Sequence, residues 1–264
     1  YKGVHNGSGV DNGISISNGK NIVLDNVTVD LKEGAFRGID IQSDDDDNIY
    51  GLIINNCTTY GGENGIDIIT GHNNKIKNVT ISNCNIYNAY QGILINAGYY
   101  SLTIDNITIL NCNIYNSEWV GMDIRYVKDL IVSKCRVQDS QSIGISIYTS
   151  NFDMKDCFVS CKDNVEAEKG VYVYDDSSAS MIDLTTIFSN VDNLIVKGTF
   201  KVGFETKQDY IRVSNLYLEG YKNYGIANNR KKCFYKSIFY LSDKEVYLPN
   251  NEKGYGIIIE DIYK

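Results

Sequence analysis

The residues best suited to chemistry are acids that recur at one place in a repeated pattern. Asp40, Asp67 and Asp123 each take the third position of a Gly-apolar-Asp-apolar sequence. Glu63 and Glu118 lie just before the glycine of their own units. Pairs of carboxyl groups carry out glycoside hydrolysis, one as general acid and the other as nucleophile or general base. We therefore take Asp67, Asp123 and Glu63 as candidate catalytic residues, and Asp40 and Glu118 as candidate substrate-binding residues.

The distance between these acids depends on the element that carries them. In a parallel sheet, acids on neighbouring strands lie ~5 Å apart and acids two strands apart lie ~9–10 Å apart. Asp40 and Asp67 would be neighbours, whereas Asp67 and Asp123 would be two strands apart. Retaining glycosidases separate their carboxyl groups by about 5–5.5 Å and inverting ones by about 6.5–9.5 Å. Either pair fits one of these mechanisms, so the spacing does not choose between them.

Aromatic and cationic side chains accompany the acids. Arg125 and Tyr148 stand at the next outward position of their predicted strands. Tyr90 and the single tryptophan, Trp119, lie in the excursions between strands. Because aromatic rings can stack on a sugar while a polar tip reaches water, we add the three aromatic residues to the substrate-binding candidates. Arg125 is added because a lyase would need a basic group near a uronate. Asp123 lies two residues before Arg125, so a structural salt bridge is the alternative to a catalytic role for this acid.

The elements that position these residues repeat along the chain. A glycine followed by an apolar, any and an apolar residue recurs at intervals of 25, 27, 27, 29, 23 and 26 residues, at Gly13, Gly38, Gly65, Gly92, Gly121, Gly144 and Gly170. A cysteine recurs in phase with it, at Cys57, Cys84, Cys112, Cys135 and Cys157. Two independent markers that share one period indicate a solenoid.

The short-range pattern decides the type of solenoid. Sequences such as Val79-Thr80-Ile81 alternate with period two, which puts successive side chains on opposite faces of a strand, and no helical period is present. We predict an all-β chain, a single-stranded right-handed parallel β-helix, because parallel crossovers are almost always right-handed. One domain is expected over residues 1–264, with regular coils over about 10–175 and degenerate, loop-bearing coils over about 176–264.

Composition excludes several classes of function. The net charge of −8 argues against nucleic acid as a partner, and no apolar run approaches the ~20 residues of a membrane-spanning helix. The seven cysteines include no CxxC pair, so we expect an inward ladder of reduced thiols from folding in a cytoplasm, and no zinc site. The run Asp44-Asp45-Asp46-Asp47 is expected to be a solvated turn, so no metal or cofactor is predicted.

The repeated unit resembles that of a known superfamily. Units such as LIINNCTTYGGENGIDIITG, at 52–71, resemble those of right-handed parallel β-helix proteins: pectate-lyase-like and polygalacturonase-like enzymes, alginate epimerases and bacteriophage tailspikes. The resemblance implies an extended groove along one face that binds an oligosaccharide. For tailspikes it also implies a homotrimer that binds or cuts a bacterial surface glycan.

The catalytic motifs of these enzymes are absent. Polygalacturonases carry Asn-Thr-Asp before Gly-Ile, Asp-Asp one coil later and Gly-His-Gly after that. The corresponding positions here read Ala35-Phe36-Arg37-Gly38, Gly62-Glu63-Asn64-Gly65 and Ala89-Tyr90-Gln91-Gly92. The Asp-Pro-His element of alginate epimerases is also missing, so neither activity is expected.

Two hypotheses follow. The first is a polysaccharide-binding and polysaccharide-degrading β-helix of the tailspike or secreted depolymerase type, with hydrolysis favoured over elimination. The alternative is a non-catalytic adhesin or virion appendage that only binds surface glycan. Both imply a bacterial or other extracellular polysaccharide as partner, an extracellular or virion-surface location, and either a homotrimer or an additional capping domain to cover the terminal coils.

Overall fold

The computed structural model describes residues 12–31, 36–43, 48–70, 74–97, 104–148, 150–175, 188–228, 233–241 and 258–263. Within these ranges the chain forms β-strands that pair in parallel in two sheets. This arrangement confirms the prediction of an all-β parallel solenoid.

Sheet A takes one strand from each coil. Its members are β1 (Asn12–Ile16), β4 (Arg37–Ser43), β7 (Asn64–Thr70), β10 (Gln91–Asn96), β13 (Val120–Arg125), β16 (Ile143–Tyr148), β18 (Ala167–Tyr174), β20 (Phe200–Lys207) and β22 (Tyr224–Asn228).

Sheet B contains long and short strands. The long strands are β2 (Gly19–Asp25), β5 (Asn48–Asn55), β8 (Lys75–Ser82), β11 (Ile104–Leu110), β14 (Val127–Ser133), β17 (Phe152–Cys161), β19 (Ser189–Lys197), β21 (Ile211–Glu219), β23 (Cys233–Leu241) and β24 (Ile258–Tyr263). The short strands are β3 (Thr28–Asp30), β6 (Thr58–Tyr60), β9 (Asn85–Tyr87), β12 (Asn113–Tyr115) and β15 (Arg136–Ser140). Strand β17 pairs with both β14 and β15, so the long and short strands merge there into one.

The recurring glycine is explained by the close approach of successive coils. A Cβ atom on Gly92 would lie 2.4 Å from the carbonyl oxygen of Gly121 and 2.4 Å from Cγ2 of Ile114. Gly121 stands in the same relation to Gly144, with 2.6 Å to its carbonyl oxygen. The glycine is therefore required because no side chain fits between one sheet A strand and the next coil.

The corner before each cysteine also has a physical cause. Asn56, Asn83 and Asn111 have φ angles of 52°, 53° and 52°, a left-handed conformation that asparagine tolerates better than most residues. The amide Nδ2 of Asn111 donates to Oδ1 of Asn83 at 2.8 Å. Amide ladders along the axis therefore help to hold the corners of successive coils in register.

The interior is filled by β-branched residues and thiols. Ile66 and Ile68, which alternate with outward residues on β7, are fully buried, and the five cysteines of the repeat lie in the same continuous core. The Cys84 Sγ donates to the carbonyl oxygen of Ser82 at 3.2 Å. All seven cysteines are buried free thiols, and burial raises the pKa of Cys233 to about 12. The predicted inward ladder is confirmed.

The repeat also continues where the sequence pattern is difficult to follow. We expected residues 176–210 to fit the repeat poorly, yet β19 pairs in register with β17, and β20 with β18. Leu194 occupies the ladder position of Cys157. Gly203 takes the place of the earlier sheet A glycines, because a Cβ atom added to it would lie 2.8 Å from the carbonyl oxygen of Gly225. The markers changed residue type, but the coil geometry did not.

Candidate functional site

The candidate acids share the outer face of sheet A. Ile39 and Ile41 point into the core, so Asp40 between them points outward. The strand register places one residue of each strand in the same column, namely Ser15, Asp40, Asp67, Leu94, Asp123, Ser146, Tyr172, Glu205 and Ala227. A second outward column contains Gln42, Ile69, Asn96, Arg125, Tyr148, Tyr174 and Lys207.

Arg37 brings the first two acids together. Its Nη1 lies 3.1 Å from Oδ1 of Asp40, and its Nε lies 2.7 Å from Oδ2 of Asp67. Asp40 also accepts hydrogen bonds from Asn12 Nδ2 at 2.5 Å and from Ser15 Oγ at 3.5 Å. One guanidinium therefore bridges two carboxylates from neighbouring strands, and Asp40 is held on several sides.

The environment of Asp67 disfavours the ionised form of its carboxyl group. It is fully buried (0%); Asn64 Nδ2 donates to its Oδ2 at 3.0 Å, while Oδ1 has no hydrogen-bond partner among the described residues. Burial raises the pKa of Asp67 to about 6, against the opposing effects of Arg37 and Asn64, and the charges of Asp40 and Glu63 raise it further. Such a carboxyl group can hold a proton near neutral pH.

Asp123 lies two strands further along and is firmly paired. Arg125 contacts it through Nε at 3.1 Å and Nη2 at 2.5 Å, and Gln91 Nε2 donates to it at 3.2 Å. The salt bridge considered above for Asp123 and Arg125 is therefore present. Leu94 occupies the column position between Asp67 and Asp123.

The burial of these acids differs from what an outward position suggests. Although they point outward from the sheet, Asp40, Asp67 and Asp123 are all buried. Guanidinium groups and amides of the same strand and of neighbouring strands contact their carboxylates. Glu63 is half-buried beside Asp67, with Oε2 unpartnered in the described part of the chain. The catalytic roles assigned to Asp67, Asp123 and Glu63 stay predictions.

An exposed aromatic pair lies at the edge where strands enter sheet A. Tyr90 and Trp119 directly precede β10 and β13, and the backbone N–H of Trp119 donates to the backbone carbonyl oxygen of Tyr90 at 2.9 Å. Their rings stack with centroids 5.5 Å apart and 28° between planes. The exposed fraction is 43% for Tyr90 and 37% for Trp119. Glu118 is exposed beside them.

The C-terminal half of the face carries a cluster that the sequence analysis assembled only in part. The Tyr148 ring lies 5.0 Å from that of Tyr174 and meets Tyr172 edge-on at 5.9 Å. The guanidinium of Arg125 lies 5.4 Å from the centre of the Tyr148 ring. Burial raises the pKa of Tyr148, which the nearby Arg125 opposes. The two predicted binding residues, Arg125 and Tyr148, are thus in contact.

Two lysines and a glutamate complete this cluster and were missed. Lys169 Nζ lies 3.4 Å from the centre of the Tyr172 ring and 3.0 Å from Oε2 of Glu205. Lys207 Nζ lies 3.3 Å from Oε1 of the same glutamate. The sequence Gly203-Phe204-Glu205-Thr206-Lys207 is a variant of the repeat, and recognition of that copy would have revealed both Glu205 and Lys207.

A third aromatic group lies elsewhere. Tyr60, Tyr87 and Tyr115 stack on the short strands of sheet B with centroids 5.0 Å apart and planes 11° and 7° from parallel. These rings belong to another sheet, not to the sheet A columns that carry the acids. They provide a matched control surface for tests of sheet A.

The described residues were also searched for metal-binding clusters and membrane-spanning helices. No group of three or more histidine, cysteine, aspartate or glutamate residues in it could hold a metal ion. The Asp44–Asp47 run lies outside the described residues. Across the described ranges, no helix has the length and hydrophobicity needed to cross a membrane.

The comparison with known protein families agrees with the architecture. Residues 37–215 match the family described as "Right handed beta helix region". The fold is similar to the receptor-binding tailspike of bacteriophage Det7, at 10% identity and a TM-score of 0.39, over 86% of this chain and 61% of the tailspike chain. It is also similar to a rhamnogalacturonan lyase, at 13% identity and a TM-score of 0.39, over 95% of this chain and 79% of that one. A search of curated proteins found no match.

Proposed function

The chain belongs to the right-handed β-helix family, and from this premise we propose that it binds a polysaccharide along the outer face of sheet A. The observation that carries the proposal is the exposed, stacked Tyr90–Trp119 pair at the entry edge of this sheet. Large aromatic side chains are normally buried, and an exposed pair on one edge favours an interaction site.

The arrangement suits a polymer ligand. Tyr90 and Trp119 present amphipathic rings, whose faces can contact the apolar face of a sugar while the polar edge stays in water. Outward side chains, most of them polar, follow one another on the sheet beside them at about 4.8 Å per strand. A surface that repeats along an axis matches a chain of repeated units better than a single small molecule.

The single tryptophan makes binding directly measurable. A panel of neutral and acidic bacterial polysaccharides titrated into the protein should change the fluorescence of Trp119 for the glycan that binds. Calorimetry on Trp119→Ala and Tyr90→Ala should then show affinity reduced about tenfold, because each loses a stacking surface. Tyr60→Ala, at the end of the stack in sheet B, should leave affinity unchanged. Equal losses in all three variants would contradict the proposal.

Glycoside hydrolysis is the second candidate, favoured by one observation. The pKa of Asp67 is raised to about 6, the range in which a carboxylic acid can donate a proton near neutral pH. Glu63 lies close enough for its charge to raise that pKa, and Asp123 is the other candidate carboxylate. Asp40, Glu118, Arg125 and Tyr148 are proposed to contact the substrate.

The test for catalysis uses any glycan that binds. New reducing ends without absorbance of unsaturated uronates would indicate a hydrolase, and Asp67→Asn should abolish their release while binding persists. Both signals together would indicate a lyase and move attention to Arg125 and Tyr148. Binding without either signal would support the non-catalytic adhesin or virion appendage.

We further propose that the chain works outside the cell or on a virion, as a homotrimer or with a capping domain. The outer face of sheet B carries a column of β-branched residues, Val23, Ile53, Thr80, Thr108 and Ile131. Val23, Ile53 and Ile131 are exposed, and contact between copies would bury them. Sedimentation should give a trimer for the native chain and a monomer for Ile53→Asp, and a monomeric native chain would favour the capping domain.

A further inference from the structure

We infer that copies of this chain meet through two different facets of sheet B, one from each neighbouring copy. The long facet is the outer face of β2, β5, β8, β11 and β14, and the short facet is the outer face of β3, β6, β9, β12 and β15. This inference rests on the homotrimer proposed above, because it names the second surface that such an assembly requires.

Each facet carries an exposed apolar row. The long facet has the β-branched row that includes Val23, Ile53 and Ile131, all of them exposed. The short facet has the row of stacked tyrosines, whose first member, Tyr60, is also exposed. Large exposed apolar surfaces favour an interaction site, and tyrosine is enriched where protein surfaces meet. The two rows are therefore suited to contact each other between copies.

The two rows are matched in height along the solenoid axis. Ile53 precedes Tyr60 by seven residues in one coil, and Thr80 precedes Tyr87 by seven residues in the next. Both rows then advance together, at about 4.8 Å per strand. Rotation about an axis parallel to the solenoid keeps every residue at its own height. Such a rotation brings Ile53 of one copy opposite Tyr60 of the next.

Both rows also end in the same part of the solenoid. The β-branched row ends at Ile131, and the register places Asp153 at the next position. The tyrosine row ends one coil earlier, at Tyr115, where Gln138 follows. The separate short strands stop there as well, since β17 pairs with both β14 and β15. The two rows thus belong together, as one feature of the N-terminal coils.

Charge agrees with this pairing. Lys20 lies on the long facet and Asp30 on the short facet of the first described coil, and both are exposed. Asp30 has the position in its strand that Tyr60 has in the next. The same rotation brings Lys20 of one copy to the height of Asp30 of its neighbour. Opposite charges there favour this partner surface over others.

A ring accounts for both facets at once. In a two-fold pair, each facet would meet its own copy, which would leave the other row exposed. A heterologous contact joins two different surfaces and forms a ring when the rotation closes. Every copy then buries both rows without using sheet A. The proposed glycan-binding face stays open to solvent on each copy.

Cross-linking between two variants tests the pairing. Chains with Ile53→Cys are co-expressed with chains with Tyr60→Cys and treated with a short bismaleimide that spans the roughly 10 Å between packed sheets. We expect about tenfold more covalent dimer from the mixture than from either variant alone, because only the mixture brings the two new thiols within that reach. The seven native thiols are buried, which protects them from the reagent.

A second mixture tests the match in height. Tyr115 lies two coils from Tyr60 in the same row, so Ile53→Cys with Tyr115→Cys lengthens the span to roughly 14 Å. This mixture should give few cross-links. Thr108→Cys with Tyr115→Cys restores the match and should cross-link as well as the first mixture.

A charge within the tyrosine row should break the ring. Tyr87→Asp should sediment as a monomer where the native chain is a trimer, because the interface would bury its carboxylate. Tyr224→Asp, at an exposed tyrosine of sheet A, is the matched control and should sediment as the native chain does. Circular dichroism checks that both variants fold, and the cross-linking decides the matter if Tyr87→Asp does not.

Each other outcome overturns a named proposal. A trimer without cross-links, equal cross-linking in the single variants, or equal yields at both heights would overturn the pairing of the two facets and leave the homotrimer. A native chain that sediments as a monomer would overturn the homotrimer together with this inference. The titration of Trp119 fluorescence with polysaccharides is independent of these results, so glycan binding is decided separately.

Discussion

The two ends of the sheet A face hold their charged side chains in different ways. At the acidic end, Asp40 and Asp67 are short side chains held against the sheet, and the longer Arg37 side chain contacts both. Further along the face, in a cation–tyrosine patch formed by Lys169, Tyr172, Tyr174, Glu205 and Lys207, the two lysines extend over tyrosine rings and keep part of their length exposed. Side-chain length and position thus decide whether a charge on this face is buried or stays partly exposed. A recurring acid is therefore weaker evidence for a site than an accessible charge.

Loss of Arg37 should have the largest effect on this comparison. Arg37→Ala leaves Asp40 and Asp67 buried without their shared cation, and breaking a buried ion pair in this way costs about 3–5 kcal/mol. Urea unfolding at pH 7.5 measures this loss of unfolding free energy. Lys201→Ala on the same sheet, with a solvent-screened ion pair, should cost far less. Equal losses of unfolding free energy in the two variants would show that the Arg37 ion pairs contribute no more than an exposed one.

The pH dependence of stability should single out Asp67. Its pKa is raised in the folded chain from 3.8 to about 6, so between these pH values the folded chain binds a proton that the unfolded chain has released. Stability from this group is fully present below the unfolded pKa and is lost as pH rises through 6, a change of about 3 kcal/mol. Asp67→Asn lacks this titration.

Denaturation curves from pH 4 to 7.5 measure that difference. The native chain should lose stability relative to Asp67→Asn across this range and should run parallel to it above pH 7. Glu118→Gln, at an exposed position, is the control and should track the native chain. Parallel curves for the native chain and Asp67→Asn throughout would mean that Asp67 titrates normally, which would also remove the observation that favours hydrolysis.

A smaller loss is expected for Lys169 in the patch. Lys169→Met keeps the aliphatic stem but removes the ammonium over Tyr172, while Lys207 still neutralises Glu205. The lost cation–π contact is worth about 1 kcal/mol at a partly buried position. Thermal unfolding measures it, with Lys201→Met as the matched substitution. A loss comparable to that of Arg37→Ala would indicate that the patch is a structural ion network and not an open surface.

The smallest effect is expected for Lys207. Lys207→Gln removes an ion pair that is one-third exposed, so stability should change by less than about 0.5 kcal/mol. The same substitution should still weaken binding of a polysaccharide that lies along the outer face of sheet A. Weaker binding with unchanged stability would establish that Lys207 contacts the ligand. Parallel losses of stability and binding would contradict that role.

Much of the architecture could be predicted because it depends on local pattern. The period-two alternation around Ile66 and Ile68 fixed the inward face, and the cysteine and glycine markers fixed the coil length. Lys207 was missed because Leu194 had replaced cysteine at the ladder position, while the coil needs only an apolar side chain there. The Asp123–Arg125 ion pair was foreseen as an alternative because both residues are on one strand.

The sequence by itself determined the parallel solenoid and the outward position of Asp40, Asp67 and Asp123, since strand alternation and repeat period suffice for both. Only the tertiary structure decided that these acids are buried and that Arg37 joins two of them, because Asp67 lies on the next coil, 30 residues further along the chain. It also decided that Lys169 and Lys207 meet at Glu205. Contacts between coils depend on side-chain reach across strands, a property that no local pattern contains.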